Sequence, residues 1–336
     1  MKAIIALLIF CLILFIYLHI YFHLKVSNDL EVYEIERPSK EKLEEICDLR
    51  QPVIFDFHNQ RLNEDCSLPN LIQNYGAFDI HMRNKDNIDE HSELYLPFTL
   101  NAANEIFKKD DKQRYFSENN NDFLTETGII KNFRYNDIFL RPYMISTCIY
   151  DTLISSPNTY TPLRYDVNYR NYFLNTGGDV IIKLIPPQYS KYLYVDSDYI
   201  YFEFKSKVDP WNVQSMYKAD FDKVKSLEIT LKKGQIIFIP AYWLYSIKFT
   251  NLSSICVFKY QTYMNVVAIS NHLFMNFLQR NNIKREKYKK IHINEEKNQS
   301  IIIEPNSIEE NNNNEITNQS ENNEFSTDQL LPKTDL

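Results

Sequence analysis

Between Phe139 and Gln261 the chain is a succession of short aromatic and β-branched runs separated by turn signals, and this restricts its fold more than any other feature. The runs fall at 139–150, through Phe173, and at 179–185, 192–205, 227–231, 235–239, 244–250 and 254–261. Strands this short and this regularly spaced must shield one another, so an all-β sandwich or barrel is predicted. Only five glycines occur, which leaves Asn, Asp and Pro to make most of the turns. Ahead of this region, Ser39 is placed to cap a helix that runs through Glu41, Leu43, Glu44 and Glu45. Pro52–Phe57 and Ala77–Arg83 read as strands, and Leu96–Lys109 carries helical spacing. After the strands, Asn265–Gln279 reads as an amphipathic helix, with Val266, Ile269, Leu273, Phe274, Phe277 and Leu278 as its apolar positions.

The N-terminus is of a different kind. Residues 3–22 form an apolar run of twenty broken only by His19. As a helix this run spans about 30 Å, the hydrocarbon thickness of a bilayer. A cleaved secretory signal is the alternative, but the run exceeds the usual apolar stretch of such signals and no small-residue cleavage site follows it. Lys2 precedes the run, while Asp29, Glu31 and Glu34 follow it. That bias favours a short cytosolic N-terminus with the rest of the chain across the membrane, and Lys25 opposes it. A net charge of −7 argues against a nucleic-acid surface spread over the molecule. The five cysteines are scattered without a C-x-x-C pair, so neither a zinc motif nor a disulfide framework is indicated.

Lys284, Arg285, Lys287, Lys289 and Lys290 form a basic cluster, read as a solvated helix end that could also touch acidic lipid head groups. From Asn294 the chain becomes Asn- and Glu-rich, and such sequence predicts disorder over 294–336. Asn251, Asn298 and Asn318 head glycosylation-type sequons, which matter only if this part of the chain is lumenal.

Thr161-Pro-Leu-Arg-Tyr-Asp166 resembles the T-P-x-H-x-D segment of the JmjC and factor-inhibiting-HIF-type 2-oxoglutarate oxygenases. Asn171-Tyr-Phe matches the aromatic stretch that follows it, and Gly178 through Leu184-Ile-Pro-Pro187 resembles their G-x-K-x-x-x-L-F-P-P strand. Gly234 through Ile239-Pro240 and on to Trp243 and Tyr245 resembles their G-D-x-L-x-I-P-x-x-W-W-H hairpin. The ordered set covers roughly residues 36–280. It implies a mainly β fold with flanking helices, a double-stranded β-helix (cupin or jelly-roll barrel), which here follows the one transmembrane helix read from residues 3–22. The implied organisation is an anchor at 1–25 and a cupin-like, JmjC-like domain at 26–282, with barrel core 139–262 and helix 265–279. A basic segment and Asn/Glu-rich tail then occupy 283–336.

Members of that family bind Fe(II) through His, Asp and His and chelate 2-oxoglutarate. Carried over by position, the first histidine falls on Arg164, the carboxylate on Asp166, the second histidine on Tyr245 and the oxoglutarate-binding lysine on Val180. Thr161 and Asn171, cosubstrate contacts in some relatives, are retained. Asp166 is thus the single retained ligand position, and a guanidinium cannot ligate iron. Val180, Ile182 and Leu184 share one face of their strand, so Lys183 points away and cannot stand in for the missing lysine. None of His58, His81, His91, His272 and His292 lies in a central strand to replace a ligand.

No catalytic residue, metal or cofactor is therefore expected. The leading expectation is a membrane-tethered cupin-like protein acting in binding or assembly. The alternatives are a divergent Fe(II)/2-oxoglutarate-dependent hydroxylase or other metal-free cupin enzyme, and a purely structural membrane protein. Within the degenerate pocket, Arg164 is expected to pair with Asp166, with the Tyr245 hydroxyl as a further partner, against an open mouth with Arg164 in solvent. Arg164, the one cation that the sequence places in the cavity, could alternatively receive a small anion. Tyr242 and Trp243 are expected to pack the core or its rim. A homodimer through 265–279, or burial of that helix within the chain, are the two readings of the last helix. The Asn-rich, Gly-poor composition suggests an AT-rich genome, and cupin-like proteins with an N-terminal anchor in large DNA viruses make a viral source the expectation.

Overall fold

A computed structural model of the chain describes residues 2–85 and 95–281, together with the backbone at 290–291 and 303–304. The chain divides into two compact units, Met1–Asn282 and Ile283–Leu336, and the site lies wholly in the first. The basic cluster and most of the Asn-rich tail fall outside the described residues. Within the second unit the backbone at Lys290–Ile291 pairs antiparallel with Ile303–Glu304, and the rest of the 294–336 tail lies outside the described residues.

The first unit opens with α1 (Lys2–Leu24), which is long and apolar enough to cross a membrane. It continues with β1 (Tyr33–Ile35), α2 (Lys40–Cys47), β2 (Val53–Asp56), α3 (Gln60–Asp65), α4 (Leu68–Tyr75), β3 (Asp79–Asn84), β4 (Leu96–Thr99), α5 (Leu100–Lys108), β5 (Tyr115–Ser117), α6 (Asn121–Glu126) and α7 (Ile129–Asn136). The barrel strands follow as β6 (Ile145–Ser155), β7 (Arg164–Tyr165), β8 (Arg170–Asn175), β9 (Val180–Ile185), β10 (Val195–Asp198) and β11 (Glu203–Ser206). After the short α8 (Lys218–Phe221) come β12 (Leu227–Leu231), β13 (Gln235–Phe238), β14 (Leu244–Phe249) and β15 (Ser253–Thr262), then α9 (Tyr263–Ala268) and α10 (Ser270–Asn281).

Ser39 caps α2 by accepting from the Lys42 amide, as its position predicted. Three expectations are corrected. Leu96–Lys109 is strand before it is helix, because Leu96–Thr99 pairs with Asp79–Met82 and the Thr99 hydroxyl then caps α5 from Ala102. The first barrel strand starts at Ile145 rather than Phe139, after Pro142, which has no N–H to give a ladder. The last helix is two: Thr262 caps α9 by accepting from the Asn265 amide, and the chain turns at Ile269 before α10.

Among the described residues the strands form a nine-stranded sheet, β1-β2-β13-β8-β15-β6-β5-β3-β4, facing a six-stranded one, β10-β11-β7-β14-β9-β12. All these pairs are antiparallel except β1 with β2. The central strands β13, β8 and β15 of the large sheet are buried on both faces. On β15, Cys256, Phe258 and Tyr260 pack outward against the helices with Leu43, Phe107 and Phe133, while Ile255 and Val257 point between the sheets. There they meet Val180, Ile182, Leu184, Trp243, Tyr245 and Ile247 from the small sheet. The interior is therefore a closed apolar core, and any polar group along its wall requires a partner. Gly234, at φ +85°, makes the β12–β13 turn in a conformation that a side chain would strain.

Candidate functional site

Arg164 on β7 and Tyr245 on β14 are direct cross-strand partners, with the guanidinium 5.8 Å from the phenol ring centre. Asp166 follows β7 by one residue and looks into the same space. There it accepts hydrogen bonds from the Tyr245 hydroxyl at 2.8 Å and from the Lys259 ammonium on β15 at 2.8 Å. Arg164 does not pair with Asp166 as expected. Its carboxylate partner is Glu118, just beyond β5, at 2.5 Å. The expectation failed because it weighed Arg164 and Asp166 only against each other and Tyr245. Glu118 enters from the loop after β5, and Lys259 reaches Asp166 from β15, both strands belonging to the large sheet that faces β7. Arg164 is not open to solvent, at 9% exposure, and its guanidinium donates to Glu118.

Glu118, Arg164, Asp166 and Lys259 line one cavity of about 190 Å³, walled also by Ile149, Phe173 and Val257. Around it runs a continuous set of charges. Glu118, 1% exposed, also pairs with Arg83, and Arg83 in turn reaches Glu203 at 3.5 Å. Glu203 further pairs with Lys205, which lies opposite Arg164 in the β11–β7 register. Burial alone would raise the Glu118 carboxyl, but the Arg164 and Arg83 guanidiniums outweigh it and hold it below its usual value. Glu203 behaves alike, brought down to about 2 against its burial, chiefly by Lys205. At Asp166 burial also works upward, and the Lys259 charge and hydrogen bond, then Arg164, carry the carboxyl below its usual value. Asp151 is the exception: burial pushes it up to about 6, against the amides of Asn120 and Asn119 that donate to it.

The other positions named from sequence are structural here. Val180 is fully buried among Ile182, Leu184 and Phe249 and presents no polar atom. Lys183 does point away, donating to the Pro210 carbonyl at 2.8 Å and sitting over Trp211. Asn171 donates to the Ile239 carbonyl and accepts from Asn168, tying β8 to the β13–β14 connection. Trp243 is buried in the core and Tyr242 packs against Tyr165, as expected. Thr161 accepts from the Ile247 amide at 3.0 Å with its hydroxyl. Thr161→Val should therefore cost about 1–3 kcal/mol by leaving a buried N–H unpaired. Urea unfolding measures this, and a loss below half a kcal/mol would mean that the hydroxyl is dispensable. Among the histidines, His81 bonds the Asn119 carbonyl and His272 packs on Tyr199 and Phe204; His91 and His292 lie outside the described residues.

Sequence reasoning missed Glu118, Lys259, Arg83, Glu203 and Lys205. For Lys259 a signal existed: Ile255, Val257, Lys259 and Gln261 recur at period two, and the last two continue the inward face into the cavity.

Two facing sheets around such a cavity, flanked by helices on one side, define a JmjC/cupin-like protein. The family model of a cupin-like domain matches residues 38–266, and the chain belongs to that family. No curated protein matches the chain.

Proposed function

We propose that this chain is a single-pass membrane-anchored cupin-like protein without iron- or oxoglutarate-dependent chemistry, whose barrel serves in binding or assembly. The observation that carries the reading is the Lys259 ammonium on Asp166. The one carboxylate retained at a family ligand position is already neutralised, at 2.8 Å, by a cation supplied by the protein. The donor set does not fit Fe(II): a guanidinium and a phenol stand at the two imidazole positions, and both are held in other bonds. Among the described residues no group of three His, Cys, Asp or Glu side chains is arranged to hold a metal. The oxoglutarate-binding cation has no counterpart at Val180, which supports the same reading.

Anchoring is supported by α1, whose side chains from Lys2 to Leu18 are exposed, and whose apolar length matches a bilayer. We place the N-terminus in the cytosol and the barrel across the membrane. Full-length protein should stay with membranes on alkaline carbonate extraction. With Fe(II) and 2-oxoglutarate it should form succinate no faster than its Asp166→Ala variant. Turnover that Asp166→Ala abolishes would instead establish a divergent oxygenase.

A further inference from the structure

The chain leaves the barrel through α9 and α10, and these two helices are apolar on more than the face they bury. Inward, Ile269 and Leu273 pack with Val167 and Phe204, His272 stacks on Tyr199, and Asn276 donates to the Tyr199 carbonyl. Outward, Phe274 and Phe277 are 59% and 62% exposed, and Leu278 lies beside them at the i, i+4 position. Tyr263 and Val267 extend this surface along α9, and Met144, whose carbonyl accepts from the Tyr263 amide, adjoins it. From Tyr263 to Gln279 the sequence contains no Asp, Glu, Lys or Arg. A helix facing water on that side would normally carry charge there.

The position of α9 indicates what covers this surface. The helix lies against the last turns of α1, where His19, Ile20 and Phe22 lose exposure and His23 becomes buried. There the His23 Nε2 atom meets the Thr262 hydroxyl, the cap of α9, at 3.2 Å. Two packed helix axes lie about 8–10 Å apart, so α9 sits within one helix diameter of the point where the apolar run ends. The head-group layer of a bilayer occupies that same level, and aromatic and aliphatic side chains enter it without desolvating a charge.

We propose that the outward face of α9 and α10 is a lipid-binding surface, laid into the interface of the membrane that α1 crosses, with Phe274, Phe277 and Leu278 as its inserted side chains. The proposal rests on the reading of residues 3–22 as a membrane anchor. It adds a second membrane contact to the docking of α1 on α9.

The test uses the full chain reconstituted in phosphatidylcholine vesicles, with a photoreactive benzophenone amino acid in place of Phe277 and, separately, of Phe15 in the anchor. Both positions are exposed, so neither replacement threatens the core. The expected result is a covalent phospholipid adduct at both. An adduct at Phe15 with none at Phe277 would overturn the lipid surface and leave the anchor standing. So would a Phe277 cross-link to a second copy of the chain, which would make α9 and α10 a dimer face. Absence of an adduct at Phe15 would remove the anchor and this inference together.

Discussion

Glu118→Gln should destabilise the domain by about 3–5 kcal/mol, because it leaves the buried Arg164 guanidinium without its paired carboxylate and weakens the pairing of Arg83. Arg164 and Arg83 are both largely shielded from water and both pair with Glu118. Glutamine keeps the size of the side chain but not its charge, so the loss is electrostatic rather than a matter of packing. Arg83 retains Glu203, whereas Arg164 keeps only the Tyr245 ring and more distant carboxylates. The double variant Glu118→Gln, Arg164→Met should therefore recover much of the loss, since it removes the stranded charge instead of leaving it buried. Denaturant unfolding reads both, as a displaced midpoint at unchanged slope. Equal stability of Glu118→Gln and the unaltered protein would mean that the network is solvated and of little consequence.

Lys259→Met should cost about 3–5 kcal/mol at neutral pH by the same reasoning applied to Asp166, and it should also reverse a pH dependence. In the intact protein the Asp166 carboxyl is held below its ordinary 3.8. A lowered folded pKa contributes stability that is present above the unfolded value and lost as pH falls through the folded one. Without Lys259 the burial of the carboxylate dominates, and its folded pKa moves above 3.8. That contribution is fully present below the unfolded value and lost as pH rises through the folded one. The difference in unfolding free energy between the two proteins should thus shrink towards acid pH. A difference that stays constant from neutral to acid pH would show that Lys259 does not set the state of Asp166.

The short aromatic and β-branched runs between 139 and 261 made the barrel legible, although the run at 192–205 holds two strands, Val195–Asp198 and Glu203–Ser206. Period-two spacing placed Val180 with Ile182 and Leu184 and turned Lys183 outward, both as found. What was not legible is the pairing of charges across the cavity. Arg164 and Asp166 are two residues apart and invited a local ion pair, yet their partners are 46 and 93 residues away. Nothing in the local pattern at Glu118 points to the barrel, since that residue lies in a loop after a three-residue strand of the flanking region. Lys259 could have been found by carrying the inward face of its strand two residues further. The division of the last helix at Ile269 was hidden because both halves keep an apolar periodicity across the turn.

We propose that the Lys259 ammonium neutralises Asp166 in place of a metal. Anaerobic titration of the full-length protein with Fe(II), with and without 2-oxoglutarate, tests it most directly when bound iron is counted after gel filtration. Bound iron should be substoichiometric and unchanged in Asp166→Ala. One equivalent of iron, lost on Asp166→Ala, would contradict it.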